Sequence, residues 1–332
     1  MQHRQVRIVG TGKYVPKRRV SDTEMDRALG VPEGWSRQKT NVIERYFIED
    51  ETASQMGAKA AYAALESAGL TFADIDCLVC TSGTMEQPIP CTAALIQEAM
   101  GQPHAGVPAF DINTTCLSFV AGLDVMSYMV AAGRYRYVLL VSTEVASKGL
   151  NWRHKESAAL FGDGAAAAVI GPAGAEEPSK LLYARMETYS AGARYSEIRG
   201  GGSALHASAY SADTADRFLF DMQGDALFRM ASQKLPAFLD KLLAGAGCGL
   251  DSVKLVVPHQ GSAMAMRLLA RKLGIADDRL MSITPDHGNT IAASIPMGLH
   301  EAIRQRRIER GDRVLLIGTS AGLSLGGVVL DY

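Results

Sequence analysis

Net charge is almost absent from this sequence: 34 Lys and Arg stand against 35 Asp and Glu, a formal balance of −1. A chain so balanced carries no global basic field, which argues against nucleic acid as a partner. Long apolar runs are also missing. Nothing approaches a membrane span, and the opening MQHRQVRIVGTG has no signal-peptide core, so a cytoplasmic location away from membranes is expected. Cysteine is scarce: Cys77, Cys80, Cys91, Cys116 and Cys248 are too few and too irregularly spaced for a disulfide framework in 332 residues. Low-complexity tracts are absent. What remains is an ordinary globular composition, 47% hydrophobic and 21% charged, long enough for two halves around a shared core.

Several short signals are read as structural. CLVC (Cys77 to Cys80) has the spacing of a redox or zinc pair, but it lies inside an apolar strand and no second pair follows, so it is expected in the core and no metal site is expected. GTGKYVP at Gly10 lacks a third glycine and runs into proline, unlike a dinucleotide fingerprint. The loosest region runs from about Gly171 to Thr214 and reads as a connection between halves followed by a surface or pocket-rim loop.

The informative feature is a repeat. AAYAALESAGLTFADIDCLVCTSGT and LPAFLDKLLAGAGCGLDSVKLVVPHQGS share an order of helix, polar turn, apolar strand and polar tip. Pairing Asp74 with Asp251 superposes Leu78-Val79 on Leu255-Val256, and Tyr137 to Thr143 matches Arg313 to Thr319 at nearly the same offset. Two independent matches point to a duplicated α/β unit with helix-covered sheets, divided as residues 1–172 and 173–332. His259 then sits where Ser82 sits, beyond a buried strand, and DHGNTIAASIPMGLHEAI occupies the stretch comparable to the one that Cys116 opens. Loops beyond strand ends are where α/β proteins place chemistry, so Cys116, His259 and Asn289 are expected to meet where the halves join.

Locally, FDINTTCLSF leaves Cys116 open between a packed core thiol and a nucleophile. A position near a helix N-terminus favours a thiolate, whereas free cysteine is commonly buried. TTCLSF, VVPHQGS and DHGNTIAAS, in the order Cys, His, Asn, resemble the β-ketoacyl-ACP synthase III enzymes of the thiolase superfamily. The resemblance extends through GWSRQKTNVIERYF, LFGDGAAAAVIG and GTSAGLSLGGVVLDY to essentially the whole chain. It implies an α/β, duplicated thiolase-like αβαβα five-layer fold and a homodimer.

The resemblance also implies the chemistry. Cys116 is expected to accept an acyl group from acyl-CoA or acyl-ACP, with the N–H groups of Cys116 and Ala321 as oxyanion donors. His259 and Asn289 are expected to hold a malonyl thioester, from malonyl-ACP or malonyl-CoA, while it loses CO2 and condenses to a 3-oxoacyl product. Coenzyme A thioesters enter as substrates, and no tightly bound cofactor is implied. Trp35, Arg37, Lys39 and Lys155 correspond to the coenzyme A entrance, Lys155 standing where the family has arginine.

Other departures bear on the substrate. The usual three glycines read Ser320-Ala321-Gly322, so the Ala321 Cβ is expected to restrict the backbone. Ser262 replaces an asparagine near the pantetheine path, Met264 and Ile43 replace basic residues, and Arg267 lies one helical turn beyond Met264. Ile89 stands where the family has a phenylalanine that a dimer partner inserts to limit the pocket. Three rivals are weighed. One is an acyltransferase passing the Cys-bound group to an alcohol, amine or other thioester, with His259 as base. Another is a papain-like hydrolase, whose local cysteine signature is absent. The last is an inert partner of a heterodimer.

Overall fold

The computed structural model describes residues 3–332; residues 1 and 2, with which the first half was expected to begin, lie outside the described residues. The strands of the two main sheets are numbered here in chain order: β1 Val6–Tyr14, β2 Cys77–Cys80, β3 Ala109–Asp111, β4 Val138–Glu144, β5 Gly164–Pro172, β6 Lys180–Thr188, β7 Leu255–Pro258, β8 Arg313–Ser320 and β9 Ser324–Asp331. The first sheet runs β1-β5-β4-β2-β3 and the second β6-β9-β8-β7. In both, the long hairpin-like pairs are antiparallel and the pairing that follows is parallel: β4 with β2, and β8 with β7. Even β3 has a trace of a counterpart, because Leu280 makes an isolated parallel bridge to Val256. The offset read from the sequence is thus a repeated order of strands.

Six helices cover these sheets: α1 Ala53–Ala68, α2 Thr92–Ala99, α3 Ser118–Ala131, α4 Gly224–Ala246, α5 Ala263–Lys272 and α6 Ser294–Arg304. Helices α3 and α6 lie between the sheets, where Phe119, Val120, Leu123, Ile295 and Leu299 share one core with Val79, Leu140, Val257 and Leu316. Helices α1 and α2 cover the outer face of the first sheet, while α4 and α5 cover that of the second. The layers therefore run αβαβα. Strands buried on both faces explain why β2, β4 and β7 read as continuous apolar runs rather than alternating ones. Cys77 and Cys80 belong to this core, as expected.

Local chemistry fixes the helix ends. Thr52 and Gln55 form a capping box at the start of α1, and Gly69 ends it with φ 66°. The glycines of GTGKYVP serve close packing rather than a dinucleotide. A Cβ on Gly12 would lie 2.3 Å from Ala60 O and 2.4 Å from Ala64 N, inside the backbone of α1. We therefore expect Gly12→Ala to push α1 off the sheet and cost about 3 kcal/mol. A fall in the urea midpoint with an unchanged slope would show it.

One expectation is corrected. The stretch from Gly171 to Thr214 is not loose throughout, because Lys180–Thr188 forms β6 at the edge of the second sheet. Its flanks, GPAGAEEPSK and the Gly- and Ser-rich segment after it, made the whole region look like a connection. Residues 173–178 form a short, largely exposed connection, and residues 199–214 a longer exposed loop.

Candidate active site

Two turns, one from each half, meet where the sheets converge. In the first, Thr115–Leu117 makes one tight turn before α3, with Cys116 at its centre. Thr115 takes φ 54°, a left-handed geometry that a β-branched residue adopts only when its surroundings hold it. Asn113 Oδ1 supplies part of that hold by accepting the Thr115 N–H at 2.8 Å. The Ser118 hydroxyl accepts the Thr114 N–H at 2.9 Å. In the second half, Ile291 takes φ 48°, and Asn289 Oδ1 accepts its N–H at 2.9 Å. Asn113 to Asn289, Thr115 to Ile291 and Ser118 to Ser294 are all the same step along the chain. By that step Ala292 is the counterpart of Cys116.

Glycines let the turns close on one another. A Cβ on Gly83 would lie 2.8 Å from Ile291 Cγ2 and 3.1 Å from the Thr115 carbonyl carbon. One on Gly318 would lie 2.7 Å from His259 Cβ and 3.2 Å from Leu117 Cδ2. Ser320 donates to Thr114 O at 2.8 Å, tying the β8–β9 tip to the turn that carries Cys116. The result is a cavity of about 1040 Å³ whose lining includes Cys116, His259, Asn289 and Ala321. The three residues picked out in the sequence do come together.

Burial dominates the electrostatics. Cys116 opens onto the cavity but is otherwise enclosed by protein. This enclosure, with the nearby Glu144 carboxylate, pushes its thiol up to about 12, against the pull of the Ala321 and Cys116 N–H groups. The helix terminus that favours a thiolate does not outweigh desolvation of the anion, so the resting sulfur is a thiol. Both N–H groups nonetheless face the sulfur. His259 is pushed down to about 4, again by burial, and its imidazole is neutral. Its Nδ1 lies 2.8 Å from Ser294 Oγ.

Residues 110–190 match the family model for 3-oxoacyl-[acyl-carrier-protein] synthase III, and residues 243–332 match the model for its C-terminal part. The β-ketoacyl-ACP synthase III of Rhodobacter capsulatus is 35% identical over 330 residues, 98% of each chain. This chain belongs to the β-ketoacyl-ACP synthase III family. The enzyme of that name from Aquifex aeolicus is 32% identical over 98% of this chain and 99% of its own. Its crystal structure superposes with a TM-score of 0.88, covering 98% of this chain and 100% of that one. The priming β-ketosynthase of the R1128 polyketide pathway is 28% identical, with a TM-score of 0.88 over 99% of this chain and 96% of its own.

Not every residue taken from the family resemblance reaches the cavity. Lys39 lines it and pairs with Glu156 at 3.2 Å. Ser262 also lines it, while its Oγ accepts the Ala265 N–H at 3.4 Å at the start of α5. Trp35 is half-buried against the cluster that contains Met25, Leu29 and Val42, away from the cavity wall. Arg37 is exposed on the same short helix, Trp35–Thr40, of which Lys39 and Thr40 line the cavity. Lys155 is also outside the lining, its Nζ 3.4 Å from Gly30 O.

Ile89 is 85% exposed and touches no part of the cavity within this chain. Met264 lines the mouth and is exposed, as is Arg267 one turn on, and Ile43 is exposed elsewhere. The restriction expected from the Ala321 Cβ does not materialise: Gly322 alone takes the unusual backbone of the tip, with φ 136°. Two residues escaped the sequence reading. Asn113 was findable as the repeat of Asn289. Glu144, fully buried at the end of β4, was signalled by a carboxylate closing an otherwise uncharged strand.

Among the described residues, no helix is long and apolar enough to cross a membrane. Among the same residues, no three His, Cys, Asp or Glu side chains group as metal ligands.

Proposed function

We propose that this chain is an acyl-thioester condensing enzyme, with Cys116 as nucleophile and His259 and Asn289 as the pair that stabilises the enolate. The carrying observation is that the Cys116 sulfur faces two backbone N–H groups in the same cavity as His259 and Asn289. In the first half-reaction, the sulfur attacks an acyl thioester, from acyl-CoA or acyl-ACP. The Cys116–acyl bond forms as the carbonyl–sulfur bond of the donor breaks, and the thiol proton leaves with the coenzyme A or carrier sulfur. The N–H groups of Cys116 and Ala321 hold the tetrahedral oxyanion.

A malonyl thioester, in this reading malonyl-ACP, then takes the vacated path. In this reading Ser294 is assigned as donor to His259 Nδ1, which leaves the ring proton on Nε2 for the thioester oxygen. Asn289 contributes its NH2, its Oδ1 being engaged by Ile291 N–H. CO2 leaves, the enolate carbon attacks the acyl-Cys116 carbonyl, and the carbon–sulfur bond breaks to give a 3-oxoacyl thioester. The released sulfur takes a proton from solvent, which restores the thiol. A neutral imidazole held down to about 4 is a poor base and a serviceable donor, which favours condensation over acyl transfer to an alcohol or amine.

The same reading includes acyltransferase chemistry, coenzyme A thioesters as substrates, and a homodimer in the cytoplasm. Lys39 and Ser262 bind the pantetheine-bearing arm, with Trp35, Arg37 and Lys155 nearer the surface for the nucleotide end. The outer edge of β3 pairs with no strand among the described residues, and Phe110 on it is exposed, which suits pairing with a second copy. Residues 1–172 and 173–332 are read as the two repeated halves. Intact-mass spectrometry with acyl-CoAs of increasing length tests the loading step. A single acyl increment mapped to Cys116, followed by CO2 release on adding malonyl-ACP, is the expected result. A folded protein that takes no acyl group from any CoA or carrier thioester would overturn it.

A further inference from the structure

Among the buried acids that the mechanism above leaves without a task, Glu144 is bonded to the loops around the reacting groups. Glu144 ends β4 with no exposure to solvent, and among the described residues no cation pairs with it. Its carboxylate instead gathers four donors from two loops. Oε1 accepts Gly83 N–H at 2.5 Å and Ala292 N–H at 3.3 Å, while Oε2 accepts Thr84 N–H at 3.0 Å and the Thr84 hydroxyl at 2.5 Å. These are the loops that enclose the reacting groups. Gly83 is wedged between Thr115 and Ile291, and Ala292 follows the turn that Asn289 clasps. The acid is thus one layer behind Cys116, in a region from which water and countercharge are excluded.

We propose that Glu144 is a positioning residue that joins the two catalytic turns and shares a single negative charge with Cys116, so that the sulfur ionises only as the carboxylate takes up a proton. The inference deepens the proposed function and rests on Cys116 being the reacting group. Two like charges this deep in protein oppose one another strongly, and such pairs titrate as a unit. The thiol facing Glu144 from the first turn is Cys116. The thiol facing it from β2 is Cys80, which burial holds protonated and which donates to or accepts from Ser82. His259 contributes no charge at neutral pH. The carboxylate itself is raised by burial to about 7, with its four donors pulling the other way.

The exchange balances: Cys116–SH and Glu144–COO⁻ become Cys116–S⁻ and Glu144–COOH, with no net proton gained or lost. Thr84 Oγ1 can reverse from donor to acceptor, which accommodates the new carboxyl hydrogen. Such an exchange has a distinctive pH signature. Below the carboxyl titration, each pH unit raises the thiolate about tenfold; above it, the shared-charge species is a fixed fraction and the thiolate population stops rising. Only when a second charge is forced into the pair does it rise again.

Alkylation of Cys116 by iodoacetamide, followed by peptide mapping from pH 5 to 10, reads this directly. The sulfur–carbon bond forms as iodide leaves, and no acyl substrate is involved. A failure of acyl loading would therefore sink the functional reading without touching this result. In the unaltered chain the rate should climb to about pH 7, run flat over about one unit or more, and climb again. Glu144→Gln should climb through that range without a break and react about tenfold faster at pH 8. Thr84→Val removes a donor that favours the carboxylate and should move the break to higher pH. Should Glu144→Gln fail to fold by circular dichroism, the unaltered chain and Thr84→Val still decide. An unbroken rise in the unaltered chain, or a break that survives Glu144→Gln, would overturn the proposal.

Discussion

Cys116→Ala is expected to abolish acyl loading and to lower condensation by a factor on the order of 10⁴ or more. The same variant should still release CO2 from a malonyl thioester. This split follows from the division of roles in the proposed function. There the sulfur and its two N–H neighbours serve the acyl transfer, whereas His259 and Asn289 serve the enolate. Removing the sulfur leaves the β8–β9 tip in place, because Ser320 anchors it to Thr114 O and not to the thiol. Mass spectrometry of the protein and assay of released CO2 would separate the two activities. Loss of both together, with the fold intact, would mean that the sulfur also organises the second substrate.

His259→Ala and Asn289→Ala should give the reverse result. Each removes one donor to a developing oxyanion in a water-poor cavity, a loss that typically costs about 10²–10³ in rate. Acyl loading of Cys116 should persist in both variants, since the proposed function gives neither donor a part in the first half-reaction. The double variant should fall only modestly below the singles, because the two donors act on one oxygen and their effects do not add. The His259 contribution should also be level across neutral pH. Burial keeps the imidazole neutral above about 4, so the donor is present throughout the range from 5 to 8. Steady-state condensation with malonyl-ACP, beside single-turnover loading from acyl-CoA, measures both statements.

Much of this geometry was legible in the sequence because duplication leaves a ruler in it. The shared spacing of DIDCLVC and DSVKLVV, and of YVLLVST and RVLLIGT, set out four strands before any contact was known. The same ruler brought Cys116, His259 and Asn289 to one place. It was less informative where sequence pattern and burial part company. β6 was hidden by polar flanks, and the entrance residues depended on which way one short helix turns. The charge state of Cys116 stayed open for a clearer reason. Proximity to a helix terminus can be read from a chain, but the desolvation that outweighs it depends on everything folded around the sulfur. Glu144 was signalled by its place at the end of an apolar strand, but the donors it gathers appear only in three dimensions.

The two matching turns have come to different ends. In the proposed function, the N–H of Cys116 faces the cavity and receives the anion that forms at each turnover. The N–H of its twin, Ala292, is permanently occupied by the Glu144 carboxylate at 3.3 Å. At equivalent points of the repeat, one N–H lines the cavity while the other is satisfied by an anion that the chain supplies itself.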